Sequence, residues 1–140
     1  MLRKDCDSGS NSRKKDSAHD PQNRHRPDRD PPHPGCLDRF GERFLRRVFT
    51  PYEIAECRGR AEALAARFAA KEATTKALGT GIGPVGWREV ETRHRPSGEP
   101  YLVLYDRAEK IASHLGLTNW AVSLTHSREM AAAVVIATSE

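Results

Sequence analysis

The sequence predicts an α+β domain behind a polar N-terminal tail, and three observations support this fold class. Apolar residues recur at helical intervals between residues 37 and 78, and from residue 87 onward they alternate as in strands. Residues 1–36 contain almost no apolar side chains. Helices that come first and antiparallel strands that come last are typical of α+β proteins. We therefore assign residues 1–36 to a disordered polar tail and residues 37–140 to one domain.

The first helices are predicted by apolar spacing and by a capping sequence. Residues 50–53, Thr-Pro-Tyr-Glu, form a helix start with Thr as N-cap, Pro at the first position and Glu closing the capping box. This short helix ends near Gly59, and a long helix follows over residues 60–78. Ahead of them, five apolar residues recur at helical spacing: Leu37, Phe40, Phe44, Leu45 and Val48.

The second half of the domain is predicted to contain four strands and one helix. A Pro-Ser-Gly-Glu turn at residues 96–99 joins the first two strands into a hairpin. Asp106 with Glu109 caps the helix, and Gly116 stops it. The strands span residues 87–95, 101–105, 120–125 and 131–137, and the helix spans residues 106–115.

Length, charge and cysteine content restrict the class of protein. The chain has 140 residues and a net charge of +4, which suits acidic or phosphorylated partners without selecting between them. No stretch approaches the roughly 18 apolar residues of a membrane span. Cys6, Cys36 and Cys57 form no C-x-x-C pair, which argues against a zinc site and favours a reduced, cytoplasmic setting.

Glu72 lies on the apolar stripe of the long helix. We expect it to point toward packed protein or an interface, where a carboxylate is paired, protonated or bound to a metal. Lys76, one turn further on, is a candidate partner, and an ordinary surface ion pair between the two fits the same spacing. At about 100° per residue, the stripe contains Ala61, Leu64, Phe68, Glu72, Thr75 and Gly79.

Residues 79–83, Gly-Thr-Gly-Ile-Gly, follow this helix as a flexible, amide-rich turn. Backbone of this type can wrap phosphate oxygens, and glycines of this kind also simply end helices. Because a helix C-terminus disfavours anions, the side chains of Lys76, Lys71 and Arg67 would have to supply the positive charge.

His126 stands at the end of a predicted apolar strand, where a general base or a phosphate donor could act. Thr125 and Ser127 beside it add hydroxyl groups that can donate hydrogen bonds. A solvated loop histidine fits the same position, and both residue types are common in turns.

Five segments between residues 37 and 138 resemble one known family. In that family's order and spacing, they are RFGERF (39–44), RFAAKEA (67–73), KALGTGI (76–82), SGEP (97–100) and VSLTHS (122–127). They are similar to the holo-acyl-carrier-protein synthase family, the small type of phosphopantetheinyl transferase. RFAAKEA is the most specific of the five.

This resemblance implies a 4′-phosphopantetheinyl transferase-like fold, with helices packed on a small antiparallel sheet. It implies Mg²⁺-dependent transfer of the 4′-phosphopantetheine arm of coenzyme A to a serine of an acyl carrier protein, in fatty acid biosynthesis. Adenosine 3′,5′-bisphosphate is the implied leaving group. The family is typically a homotrimer with its sites between subunits.

The resemblance also implies roles for particular residues. Glu72 is the implied magnesium ligand, which suits a cation that takes one or two carboxylates plus phosphate. Glu72, Lys76 and His126 are the implied catalytic residues. On an early helix, Arg39, Arg43 and Arg46 are implied to dock the acidic carrier protein. The implied coenzyme-binding residues are Arg67, Lys76, Gly79, Thr80, Gly81, Ile82, Ser97, Gly98, Pro100, Thr125 and His126.

The sequence departs from the family at its start. The family pattern opens with an apolar strand of the type Gly-Ile-Asp, which supplies the second magnesium carboxylate. Residues 25–36 here read HRPDRDPPHPGC, whose prolines exclude a central strand, and Asp28 and Asp30 lack apolar flanks. The tail reads as foreign sequence, as a frameshift or a misplaced start would produce. We expect weak binding of Mg²⁺ and coenzyme A, slow transfer and an open sheet edge.

Two other classes of protein remain open. One is a non-catalytic protein that keeps the surface for coenzyme A or the carrier protein but lacks the metal site. The other is a basic nucleic-acid-binding domain with a disordered arm, for which residues 13–15 offer the tail's one basic cluster. Phe40, Phe44 and Phe68 lie on apolar stripes rather than beside basic clusters, which argues against nucleic acid.

Overall fold

A computed structural model of the chain describes residues 35–140, with side chains from residue 41 onward. The predicted tail lies outside these residues, except that Gly35 and Cys36 already belong to the first helix. No helix within the described part of the chain is long and apolar enough to cross a bilayer. The elements are α1 (Gly35–Val48), α2 (Pro51–Cys57), α3 (Ala61–Ala77), β1 (Val90–His94), β2 (Pro100–Leu104), α4 (Asp106–His114), β3 (Asn119–His126) and β4 (Ala131–Thr138).

Helix α1 is broken at Gly41, whose backbone is non-helical with φ 70° and ψ 150°. Only glycine adopts such a φ without strain, so the helix changes direction at this residue. The kink separates Arg39 from Arg43 and Arg46, so the regular i, i+4, i+7 spacing of the three arginines does not place them on one continuous helical face.

Helix α2 begins at the predicted capping box. The Thr50 hydroxyl oxygen accepts a hydrogen bond from the Glu53 amide at 3.2 Å, and the Glu53 carboxylate accepts one from the Thr50 amide at 3.0 Å. Pro51 occupies the first helical position. The reciprocal bonds satisfy two amides that a helix start leaves unpaired, so local sequence alone specifies this helix.

A buried ion pair joins α2 to α3. The Lys71 ammonium lies 2.7 Å from the Glu53 carboxylate, and both side chains are completely buried. Lys71 also donates to the Trp87 carbonyl at 3.0 Å and to the Val90 carbonyl, while Glu53 accepts from the Thr92 amide at 3.0 Å. The pair therefore ties α2, α3 and β1 together. Burial lowers the pKa of Lys71, and the attraction of Glu53 opposes this effect.

This arrangement corrects the expectation that Lys71 supplies positive charge to the glycine loop. Its charge is enclosed in the core and already balanced by Glu53. The buried side of α3 is built largely from small residues such as Ala63, Ala70 and Thr74, which leave room for a long side chain to reach inward.

Two apolar clusters flank this network. The first contains Leu45, Val48, Phe49, Cys57 and Leu64, and the Phe68 ring packs against it while stacking on Trp87 at a centroid distance of 4.7 Å. Burial raises the pKa of the Cys57 thiol to about 11, so it stays protonated at neutral pH. The second cluster is composed of Leu78, Val85, Val90, Ala108 and Ala112.

The four strands form two separate antiparallel hairpins rather than the one small sheet expected. Strand β1 pairs with β2, and β3 pairs with β4. Strand β3 lies beside β2, and β4 packs along α3. Both hairpins fall where the sequence predicted them, because alternating apolar residues and turn sequences are local signals.

Helix α4 ends as predicted at Gly116, which has a φ of 72°. Its start differs from the prediction: Tyr105 is the N-cap and makes no side-chain capping bond, while Asp106 has a φ of 46°. Asp106 therefore does not act as the N-cap. It is the first residue of the helix rather than the residue before it, and its backbone is left-handed.

Candidate active site

The exposed face of α3 carries Glu72 and Lys76, one turn apart. Glu72 does not point into the packed protein of its own chain, because the buried side of α3 is centred on Arg67 and Thr74, on the opposite side of the helix. That Glu72 faces an interface stays a prediction. The predicted stripe straddles the boundary between buried and exposed residues. Glu72 and Lys76 do not form an ion pair in the described structure. Both charges are therefore free to meet a ligand.

An open apolar cleft of about 380 Å³ lies beside Glu72. Its walls include Phe44 from α1, Leu64 and Phe68 from α3, and Ala131 from the start of β4. A carboxylate on an apolar wall interacts more strongly with a cation than it would in open water, since fewer water dipoles screen the charge.

His126 lies near the cleft through its strand partner. It is the last residue of β3 and pairs with Ala131, which lines the cleft that contains Glu72. Thr125 precedes it opposite Ala132, and both side chains are exposed. A turn closed by the Ser127 hydroxyl, which accepts from the Met130 amide at 3.2 Å, holds the two strands together here. His126 itself does not line the cleft, but the fold places its strand partner Ala131 there together with Glu72.

The glycine loop after α3 uses its amides to end the helix. The Thr80 and Gly81 amides both donate to the Thr75 carbonyl at 3.1 Å, and the Gly79 amide donates to the Lys76 carbonyl at 3.0 Å. A loop whose amides are used in this way cannot cradle phosphate with them. An anion beside this loop would depend on the Lys76 side chain for its charge partner.

Arg67 lies on the other side of α3 from Glu72, with only 5% of its surface exposed. Its guanidinium donates to the Ala63 carbonyl at 3.4 Å and lies 3.4 Å from His94 Nδ1, and its Nε has no partner among the described residues. Burial and the Arg67 charge lower the pKa of His94. Within one chain, the fold therefore does not bring Arg67 to the Glu72 cleft. Sequence reasoning missed His94, because no local pattern distinguishes it from other strand residues.

The turn of the first hairpin carries Ser97, Gly98 and Pro100. Gly98 has a φ of 88°, which a tight turn requires, and the Ser97 hydroxyl accepts from the Glu99 amide at 3.4 Å. Pro100 pairs with His94 across the hairpin. None of these residues lines the cleft beside Glu72.

The arginines of α1 whose side chains the structure describes lie on the surface. Arg43 and Arg46 are exposed, and Arg46 forms an ion pair with Glu42. The side chain of Arg39 lies outside the described residues. An exposed pair of this type is worth little, so Arg46 can exchange its partner for another carboxylate at low cost.

Metal binding at this site would rest on Glu72. The described side chains contain no group of three or more His, Cys, Asp or Glu residues placed to enclose an ion. Glu72 could supply one oxygen ligand to Mg²⁺, which keeps several waters and takes one or two carboxylates together with phosphate oxygens. The Lys76 ammonium has no acceptor for a cation and would pair with the phosphate instead. The donor set present therefore suits a magnesium ion that arrives with a phosphorylated ligand.

The fold defines a small α+β protein whose candidate site has Glu72 at an apolar cleft, Lys76 one turn further along α3, and His126 paired with Ala131, which lines the cleft. A model described as "4'-phosphopantetheinyl transferase superfamily" matches residues 28–135, and the chain belongs to that family. The family resemblance of the five motifs is thereby confirmed.

Two relatives are holo-[acyl-carrier-protein] synthases. The chain is 45% identical over 108 residues to that of Herpetosiphon aurantiacus, in a match that covers 72% of this chain and 85% of the relative. It is 47% identical over 105 residues to that of Gloeobacter violaceus, covering 72% of this chain and 80% of the relative.

Solved structures of the same kind of enzyme share the fold. The holo-[acyl-carrier-protein] synthase of Helicobacter pylori in complex with coenzyme A matches with a TM-score of 0.66 and 30% identity, over 74% of this chain and 88% of that chain. The Bacillus anthracis enzyme in complex with coenzyme A (3′,5′-ADP) matches with a TM-score of 0.58 and 33% identity, over 74% and 90%. The predicted fold class is confirmed.

Proposed function

We propose that this chain transfers the 4′-phosphopantetheine group of coenzyme A to a serine hydroxyl of an acyl carrier protein in fatty acid biosynthesis, in the cytoplasm. The products are the modified carrier protein and adenosine 3′,5′-bisphosphate. The observation that carries the proposal is that Glu72, with Lys76 one turn further on, is exposed beside an apolar cleft. The chain is also 45% identical to the holo-[acyl-carrier-protein] synthase of Herpetosiphon aurantiacus.

Glu72, Lys76 and His126 each have a role in the proposed reaction. Glu72 would hold Mg²⁺, and the ion supplies positive charge that offsets charge developing on the diphosphate. Lys76, one turn further along α3, offsets the charge of the leaving bisphosphate as a compact cation. His126, at the end of β3, hydrogen-bonds phosphate oxygens or accepts the serine proton. The apolar wall beside Glu72 limits water near the reacting groups.

We expect the 140-residue chain to bind coenzyme A weakly but in a magnesium-dependent manner, because one carboxylate is available where the family pattern supplies two. Calorimetry with coenzyme A, with and without Mg²⁺, measures the dependence, and mass spectrometry of an apo acyl carrier protein measures transfer. The Herpetosiphon aurantiacus relative serves as the matched control. Equal coenzyme affinity in both conditions, with no modified carrier protein, would favour the non-catalytic binding protein instead.

The remaining coenzyme-binding candidates favour a site shared between subunits. Arg67, Ser97, Gly98 and Pro100 do not line the Glu72 cleft of their own chain, so a neighbouring copy would have to present some of them. The outward face of the second hairpin suits such an assembly, since Val134 and Ile136 are 62% and 58% exposed. We therefore propose a homotrimer that buries this face.

Ile136→Lys is expected to dissociate the trimer, because it places a charge in a buried apolar contact. Sedimentation velocity at micromolar concentration measures the change. Met130→Lys is the matched control, since Met130 is 73% exposed in the turn between the same two strands and lies outside the proposed interface. A wild-type chain that sediments as a monomer, or an Ile136→Lys chain that remains trimeric, would contradict this assembly.

The carrier protein is expected to dock on the arginines of α1. Arg43 and Arg46 are exposed on the segment after the Gly41 kink, and Arg39 precedes it. Their charge is complementary to an acidic partner and would mainly accelerate its association.

A further inference from the structure

Arg67 is a buried cation to which the described residues offer no carboxylate. Its surface is only 5% exposed, and it takes part in none of the ion pairs that the described side chains form. By contrast, the buried Lys71 lies 2.7 Å from Glu53, and Arg93 is paired with Glu91. A buried charge without a partner is costly, so the surroundings of Arg67 indicate a negatively charged ligand.

Most of the hydrogen-bonding capacity of Arg67 is unused. A guanidinium has five N–H donors, and the described residues accept two of them, at the Ala63 carbonyl and at His94 Nδ1, both at 3.4 Å. The buried Nε has no partner among these residues. Arginine donors lie in a planar fork that matches two oxygens of one phosphate group, which a lysine ammonium cannot do.

His94 fixes the guanidinium on one side. It is the last residue of β1, and its side chain is half-buried. Because arginine can only donate, the contact at 3.4 Å makes His94 Nδ1 the acceptor and therefore requires a neutral ring. Burial and the Arg67 charge lower the pKa of His94, and the exposed Glu56 opposes them more weakly, so the ring is neutral at neutral pH.

We propose that His94 is a positioning residue for coenzyme A, which holds the Arg67 guanidinium through Nδ1 while the unused donors of Arg67 bind a phosphate group of the coenzyme. This inference rests on the proposed function. His94 pairs with Pro100 and leads into the turn at residues 96–99, so it joins Arg67 to the coenzyme-binding candidates of the hairpin. The subsite is separate from the Glu72 cleft, which neither Arg67 nor His94 lines.

The test measures the affinity of the full 140-residue chain for coenzyme A by calorimetry. His94→Leu removes the acceptor for Arg67 and is expected to weaken binding about tenfold. His94→Asn keeps an oxygen acceptor close to the position of Nδ1, so its affinity is expected to stay within about twofold of the unmodified chain. Rescue by Asn distinguishes positioning of Arg67 from a general packing role of the ring.

Dephospho-coenzyme A, which lacks the phosphate on the ribose, identifies the phosphate group. A loss in His94→Leu that is seen with coenzyme A alone assigns the ribose phosphate to this subsite. An equal loss with both compounds assigns the diphosphate instead. His114→Leu is the matched control, because His114 is exposed at the end of α4 and does not line the cleft. Urea denaturation verifies that each variant is folded under the binding conditions.

Unchanged affinity in His94→Leu, or equally weakened binding in His94→Leu and His94→Asn, would overturn this inference. Either result leaves the proposed function intact if the unmodified chain binds coenzyme A and modifies the carrier protein. Dissociation of the assembly in His94→Leu with unchanged coenzyme affinity would also overturn it, since a carboxylate of a second copy would then be the partner of Arg67. An unmodified chain that binds no coenzyme A would refute the inference and the proposed function together.

Discussion

Glu72→Gln is expected to abolish the magnesium dependence of coenzyme A binding and to reduce transfer to the carrier protein about a hundredfold or more. The substitution removes one negative charge and preserves the shape of the side chain. Because Glu72 is exposed and forms no ion pair in the described structure, the free energy of unfolding should stay unchanged. Calorimetry and single-turnover mass spectrometry at high enzyme concentration measure the two effects.

Glu62→Gln is the matched control for this experiment. Glu62 lies in the first turn of the same helix and does not line the cleft, so its substitution should leave coenzyme binding and transfer unaltered. If Glu72→Gln transfers the phosphopantetheine arm as fast as the unmodified chain, Glu72 does not hold the metal and the proposed mechanism is wrong.

Lys71→Met is expected to lower the free energy of unfolding by about 3–5 kcal/mol. The change leaves the fully buried Glu53 carboxylate without its cation, and the hydrogen bonds from the Thr50 and Thr92 amides compensate only part of that charge. Urea denaturation measures the loss. Coenzyme binding should weaken only in proportion to the unfolded fraction, because Lys71 does not reach the cleft beside Glu72.

The double variant Glu53→Gln with Lys71→Met tests the electrostatic cause. It removes both charges of this pair, so neither is left buried without its partner, and it is expected to lose less stability than the sum of the two single variants. Arg46→Gln breaks the exposed pair with Glu42 and should cost less than about 1 kcal/mol. Two results would contradict this explanation. One is a loss of unfolding free energy in the double variant equal to the sum of the two single losses. The other is a loss for Arg46→Gln as large as that for Lys71→Met.

Local signals determined most of the elements. The Thr50–Glu53 capping box, the Gly116 helix stop and the turn at residues 96–99 each act within a few residues, and the structure contains all three. The five motifs that indicate the family are likewise local in sequence, and the family match at residues 28–135 confirms them. The one-turn spacing of Glu72 and Lys76 on a single helix face also follows from helix geometry alone.

Tertiary packing decided the environment of each charged residue, because burial depends on which elements meet and not on spacing along one helix. Lys71 and Glu72 are neighbours in sequence, yet Lys71 is enclosed with Glu53 while Glu72 borders an open cleft. The placement of Arg67 against His94, and of Ala131 at that cleft through the packing of β4 on α3, depends on contacts between residues far apart in sequence. The sequence by itself determined the helices, the hairpins and the family of this protein. Only the folded domain determined which of its charges are balanced internally and which remain available to a ligand.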